Sequence, residues 1–244
     1  MRIKLTVSYD GSEFCGWQRQ KNGVSVQETL ENALYSLTGE KIKATASGRT
    51  DAGVHAAGQV VHFDTQSKIP PPKFYKALNV LLPDSVKVLK SEEAPQSFNA
   101  VKSAKKKTYR YSLYNSEVPL PLKERYAYRI FGNFDVEKMK AAASVIEGTH
   151  DFKCFSATGG SVKTTTRTVY NITVQENGED IEVTVTGNGF LYNMVRIIAG
   201  TLIAAGQGDI TETDIKKAFE TNARNLLGKT LPAKGLCLLN VEYT

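Results

Sequence analysis

Ala46-Ser47-Gly48-Arg49-Thr50-Asp51-Ala52-Gly53-Val54-His55-Ala56, running on into Ala57-Gly58-Gln59-Val60-Val61-His62-Phe63, sets one arginine and one aspartate among small residues ahead of an apolar strand. Glycine and alanine let the backbone turn tightly and let a ligand approach it closely. A carboxylate presented there can act as nucleophile, base or electrostatic partner, or simply cap its own turn. Arg49, two residues before Asp51, suits contact with something bulky and anionic.

Outward from this loop, the chain reads as alternating strands and helices. Ile3, Leu5, Val7 and Tyr9 mark one face of an opening strand, and a turn at Asp10-Gly11-Ser12 leads to an aromatic loop with Phe14 and Trp17. Either ring could stack on a base, and anchoring the loop is an equal alternative. Ser25-Val26-Gln27-Glu28 reads as a capping box, continued by Val26, Leu30, Leu34 and Leu37 at helical spacing. A strand over 59–64, a helix over 74–81 behind three prolines and a short strand over 86–89 complete a first half. Composition shifts between Ala94 and Lys107, where a proline, serines and lysines gather, so the domains are expected to be 1–103 and 104–244. The second half opens on a strand at Thr108–Tyr114. A helix over 136–146, strands near 168–175 and 181–186, a long helix from about Phe190, a short helix near Thr213 and a closing strand over 235–241 follow. Interleaving with hairpin-like spacing points to an α+β architecture with largely antiparallel sheets.

Arg196 is the second candidate. It is the only charged residue between Glu182 and Asp209, on a stretch that reads as a helix apolar all round and therefore largely buried. A buried guanidinium needs a carboxylate or phosphate, which leaves a structural ion pair or a pairing with Asp51. Tyr109 is the third, in Lys105-Lys106-Lys107-Thr108-Tyr109-Arg110-Tyr111, where cations alternate with aromatics. That pattern suits phosphate contact and base stacking, or a strand with tyrosines inside and lysines in water. His55 and His62 lie seven apart without zinc spacing and either pack or touch RNA, so no metal is assigned.

The net charge of +6 (31 Lys and Arg against 25 Asp and Glu) permits a polyanionic partner without requiring one. Three scattered cysteines, 15, 154 and 237, form no CxxC or zinc pattern and read as reduced thiols. No signal-like segment opens the chain, and the apolar stretch 190–205 is too short and too interrupted to span a membrane, so a soluble cytoplasmic protein is expected. Gly228-Lys229-Thr230 lacks the first glycine of a phosphate-binding loop, Ala223 standing there. Gly187-Asn188-Gly189 lacks the third glycine of a dinucleotide site. Nothing therefore calls for ATP, NAD or flavin.

Taken in order, YDGSEFCGWQRQ (9–20), VQETLENAL (26–34), ASGRTDAGVHAAGQVVHF (46–63), SFNAV (97–101), KKTYRY (106–111), GFLYNMVR (189–196) and LPAKGLCL (231–238) resemble the motifs of the tRNA pseudouridine synthase A family across nearly the whole chain. The resemblance implies the pseudouridine synthase fold, with two α/β halves flanking a central catalytic cleft. It also implies conversion of uridine to pseudouridine at positions 38, 39 and 40 of the tRNA anticodon stem-loop, by base flipping and without cofactor or metal. By the same resemblance Asp51 is the nucleophile, Arg196 holds it ionised, Tyr109 lies over the target uracil and Arg49 fills the gap the flipped base leaves. His55 joins the substrate-binding residues, and the protein is a homodimer binding tRNA. Whether Asp51 adds to the base, attacks the ribose or takes a ribose proton stays open. Three rivals remain: an RNA-binding module without catalysis, a hydrolase pairing Asp51 with Asp64 or Asp151, and a related synthase with other RNA targets.

Overall fold

The structure, a computed structural model, describes residues 1–21, 23–159 and 163–243. The chain forms two compact units, Met1–Lys105 with Cys237–Thr244, and Lys106–Leu236.

The first unit opens with β1 (Arg2–Tyr9), in which Ile3, Leu5, Val7 and Tyr9 are buried and the alternate residues are not. Helix α1 (Val26–Thr38) starts where Ser25 accepts the Glu28 N–H at 3.2 Å and stops at Gly39, whose φ of 73° is the left-handed value that glycine adopts freely. Val26, Leu30 and Leu34 face inward, while Leu37 is only half-buried. The two-residue strand β2 (Thr45–Ala46) and the long β3 (His55–Asp64) bracket the Asp51 loop and pair with each other antiparallel. Helix α2 (Phe74–Leu81) and β4 (Val86–Ala94) follow, with β1 antiparallel to both β3 and β4. Strands β3 and β4 both run several residues beyond the lengths expected from sequence.

The second unit begins with β5 (Lys106–Asn115), α3 (Pro121–Glu124) and β6 (Tyr128–Ile130), the last parallel to β5. Next come α4 (Val136–Ile146), capped by Asp135, and the strands β7 (Gly148–Asp151), β8 (Thr166–Asn177) and β9 (Asp180–Gly187). These strands form the antiparallel order β5-β9-β8-β7. Helix α5 (Met194–Gln207) packs on α4, and α6 (Glu212–Thr221) carries a full capping box between Thr211 and Asp214.

The closing strand β10 (Leu236–Glu242) belongs to the first unit, although its place in sequence suggests the second half. It lies parallel to β3, Cys237 opposite His55 and Leu238 opposite Ala56, and the unit boundary otherwise falls at 105/106 rather than 103/104. Helix α5 begins at Met194 rather than near Phe190. Asn193 takes a left-handed φ of 61° and breaks what looks like a continuous apolar run.

Candidate active site

The Asp51 loop is fixed through its backbone. The Thr50 carbonyl accepts the Trp17 N–H at 3.0 Å, the Asp51 carbonyl accepts the Val54 N–H at 3.1 Å, and the Gly53 N–H donates to the Phe14 carbonyl at 3.3 Å. The aromatic loop therefore braces the candidate nucleophile. Phe14 and Trp17 are buried (8% and 3% exposed), which favours anchoring over stacking on a ligand. Two glycines make this approach possible. A Cβ on Gly11 would sit 2.0 Å from the Val54 carbonyl oxygen, and one on Gly16 (φ 106°) would sit 2.6 Å from that of Thr50.

Side chains behind the loop complete the frame. Tyr9 shares a 2.8 Å hydrogen bond with the Thr50 hydroxyl, and burial pushes the Tyr9 phenol up to about 12. The Ser47 hydroxyl donates to Gln59 Oε1 at 2.6 Å, and Gln59 Nε2 donates back to the Gly48 carbonyl at 2.9 Å. Nothing in the spacing of Tyr9, Thr50 and Gln59 marks them as loop supports; their burial as polar groups in the fold does. The Asp51 side chain is half-buried, whereas Arg49 is exposed and has no ion pair among the described residues.

His55 and His62 are both 7% exposed. The Gly11 N–H donates to His55 Nδ1 at 3.1 Å and the Ala100 N–H to His62 Nδ1 at 3.2 Å. Asp10 Oδ1 also lies 3.2 Å from His55 Nδ1, but an ion pair there would need a proton on the nitrogen that accepts from Gly11. The backbone bond is therefore the better description. Burial lowers the pKa of His62 and favours its neutral form. Among the described residues no group of three or more His, Cys, Asp or Glu could hold a metal, and no helix is long and apolar enough to cross a membrane. The carboxylates that a hydrolase would need are otherwise engaged: Asp64 grips Arg2 at 2.9 and 2.7 Å, and Asp151 accepts the Lys153 N–H at 3.1 Å.

In the second unit, α5 is buried at every residue except Arg196, Ala204 and Gln207. Arg196, half-buried in the first turn of the helix, donates from Nε to the Leu231 carbonyl and from Nη1 to Asn193 Oδ1, both at 2.6 Å. The Leu231 carbonyl and the Asn193 amide oxygen thus orient the guanidinium. Glycines again allow the contact: a Cβ on Gly200 would lie 2.0 Å from the Lys229 carbonyl oxygen, and one on Gly228 would lie 2.2 Å from that of Gly200. The Gly228-Lys229-Thr230 segment is therefore a helix-packing loop, and it delivers Leu231 to Arg196.

Tyr109 and Tyr111 share one face of β5. Tyr111 is fully buried and its hydroxyl donates to the Pro232 carbonyl at 2.7 Å; burial raises its pKa. Tyr109 is 8% exposed and meets Phe190 edge to face, with ring centroids 5.2 Å apart.

The fold is α+β, and each candidate is held within its own unit: the Asp51 loop by its backbone, Arg196 by Leu231 and Asn193. The sequence profile of the tRNA pseudouridine synthase family matches residues 5–107 and 142–244. The chain is 46% identical over 243 residues to tRNA pseudouridine synthase A of Ruminiclostridium cellulolyticum, covering 99% of each. It is 46% identical over 245 residues to that of Bacillus subtilis (100% of this chain, 99% of the relative), and 44% identical over 241 residues to that of Acetivibrio thermocellus (99% of each). The chain belongs to the tRNA pseudouridine synthase family. Tyr109 lies just beyond the first matched segment, within the stretch that these relatives cover.

Proposed function

We propose that this chain isomerises uridine to pseudouridine at positions 38, 39 and 40 of the tRNA anticodon stem-loop, acting in the cytoplasm as a homodimer. The observation that carries the reading is full-length similarity to tRNA pseudouridine synthases A, joined to a GRTDAGVHA loop whose backbone is held at Thr50, Asp51 and Gly53.

The reaction breaks the N1–C1′ bond, turns the uracil and joins C5 to C1′. One proton leaves C5 and one arrives at N1, so atoms and electrons balance without a co-substrate. A uridine within a stem must leave its stack first. Exposed Arg49 fills the vacated space and Tyr109 stacks on the uracil. Asp51 acts as nucleophile, and pairing with Arg196 keeps its carboxylate ionised. The fork of Arg196, already oriented by Leu231 and Asn193, suits such a pairing. His55, with Nδ1 engaged by Gly11, contributes by holding the loop that presents Asp51 to the substrate.

The test is incubation of purified protein with unmodified tRNA carrying uridine at 38, 39 or 40, with products mapped by carbodiimide labelling and primer extension. Stops at those positions, lost in Asp51→Ala, are expected. Tight tRNA binding by both proteins with no product from either would leave a binding module and overturn the reading.

A further inference from the structure

Two cations converge at the end of the second unit's sheet, on the same β5 face as Tyr109. Lys107 lies opposite Gly187 on β9, which in turn lies opposite Val169 on β8, two residues beyond Arg167. The space over Gly187 is taken by the Phe190 ring and the Thr168 carbonyl, which a Cβ there would meet at 3.2 and 2.8 Å. Arg167 reaches over the following turn, where a Cβ on Gly189 would touch its Nε at 3.7 Å. That turn is clipped to β8 by a reciprocal pair of 3.0 Å bonds, the Asn188 N–H to the Thr168 carbonyl and the Thr168 N–H to Asn188 Oδ1. The next residue is Phe190, the ring that stands edge-on to Tyr109.

Both cations are half-buried and close enough to repel. Burial and the neighbouring Arg167 hold Lys107 down to about 8, and burial lowers Arg167 as well. Among the described residues Arg167 has no carboxylate partner. Its Nη1 donates to the carbonyls of Thr164 and Thr166 at 2.9 and 2.7 Å, which fix the guanidinium without neutralising it. A partly desolvated guanidinium oriented by carbonyls favours an anion beside it. The Arg196 and Asp51 chemistry does not use these residues.

We propose that Lys107 and Arg167 form a clamp for one RNA backbone phosphate beside the nucleotide that sits on Tyr109. The proposal rests on the reading of Tyr109 as the stacking residue and adds to it a fixed point on the strand. A guanidinium takes a phosphate through paired N–H donors and an ammonium adds a point charge. Such a contact sets the register of the flipped nucleotide without reading any base.

The experiment uses anticodon stem-loop RNA with a single neutral methylphosphonate placed 5′ or 3′ to the target uridine. Binding is measured on Asp51→Ala protein, so that turnover does not intervene, with and without Arg167→Gln. One of the two methylphosphonates is expected to weaken binding about tenfold in the parent and less than about twofold in the Arg167→Gln protein, with Arg167→Lys between them. Lys107→Gln provides the same comparison should Arg167→Gln fail to melt cooperatively. An equal methylphosphonate penalty in parent and variant, or none in the parent at either position, overturns the clamp. Conversion of the unmodified RNA by the wild-type protein is scored separately. Its failure alongside an Arg167-dependent methylphosphonate effect would sink the isomerase reading and leave the phosphate site standing.

Discussion

Around Asp51 the fixed points are backbone atoms, supplied by the Thr50, Asp51 and Gly53 peptide groups and by two glycines that let neighbouring chain come close. Around Arg196 they lie on the side chain itself, whose Nε and Nη1 are taken by a carbonyl and an amide oxygen. The loop that presents the carboxylate is thus held through its backbone. The guanidinium is placed only if it is a guanidinium. Changes at the two residues should separate chemistry from structure in opposite ways.

The largest effect is expected for Asp51→Asn, with activity down at least about 10³-fold while the melting temperature moves by no more than about 2 °C. A large loss of stability would show that the side chain also holds the loop. Gly11→Ala should do the reverse. Its methyl group would strike the Val54 carbonyl, and urea unfolding should report a loss of about 3 kcal/mol. Arg196→Lys keeps the charge but cannot satisfy Leu231 and Asn193 together, so kcat should fall about 30-fold. Recovery of full activity there would mean that charge alone matters.

Tyr109 and Tyr111 give a smaller version of the same contrast. Tyr111→Phe removes the bond to Pro232 and should cost about 1 kcal/mol in denaturant titration with kcat preserved. Tyr109→Phe keeps the stacking ring and should hold kcat within about threefold, whereas Tyr109→Leu, which removes the ring, should lower it about tenfold or more. The smallest effect concerns pH. Lys107, at about 8 in the fold against 10.5 ordinarily, is charged at pH 7 and loses its proton as pH rises through 8. RNA affinity should therefore drop a few-fold between pH 7 and 9 and stay flatter in Lys107→Arg. The sign for folding is opposite. The folded state gives up this proton before the unfolded chain does, so the lysine's penalty is greatest below pH 8 and is relieved as pH climbs toward 10.5.

The elements legible in the sequence are those with a cap and a period. Helix α4 matches its expected bounds because Asp135 caps it and Met139, Ala142, Ala143 and Ile146 recur on one face. The start of α5 was hidden because Phe190 and Leu191 continue an apolar pattern that only the φ of Asn193 interrupts. Strands β2, β6 and β7 have two to four residues, too few to show alternation, and they exist through their partners. The candidate site residues stand out by type and setting, an aspartate among small residues and a lone arginine in an apolar helix. Their supports do not: the Leu231 carbonyl that orients Arg196 is 35 residues away, and a backbone acceptor has no signature in composition.

The position of β10 carries a consequence for synthesis. Residues 106–236 form one uninterrupted unit, able to fold as soon as they emerge from the ribosome. The unit bearing Asp51 waits for residues 237–243, because β10 lies alongside His55 and Ala56, where β3 leaves the loop, and Tyr243 ties back to the Ala100 carbonyl at 2.9 Å. A nascent chain from which residue 236 has emerged, but not residues 237–243, would have its arginine oriented by Leu231 and its aspartate loop unsupported on that edge. Emergence of residues 237–243 thus acts as a checkpoint on the first-made unit of the protein.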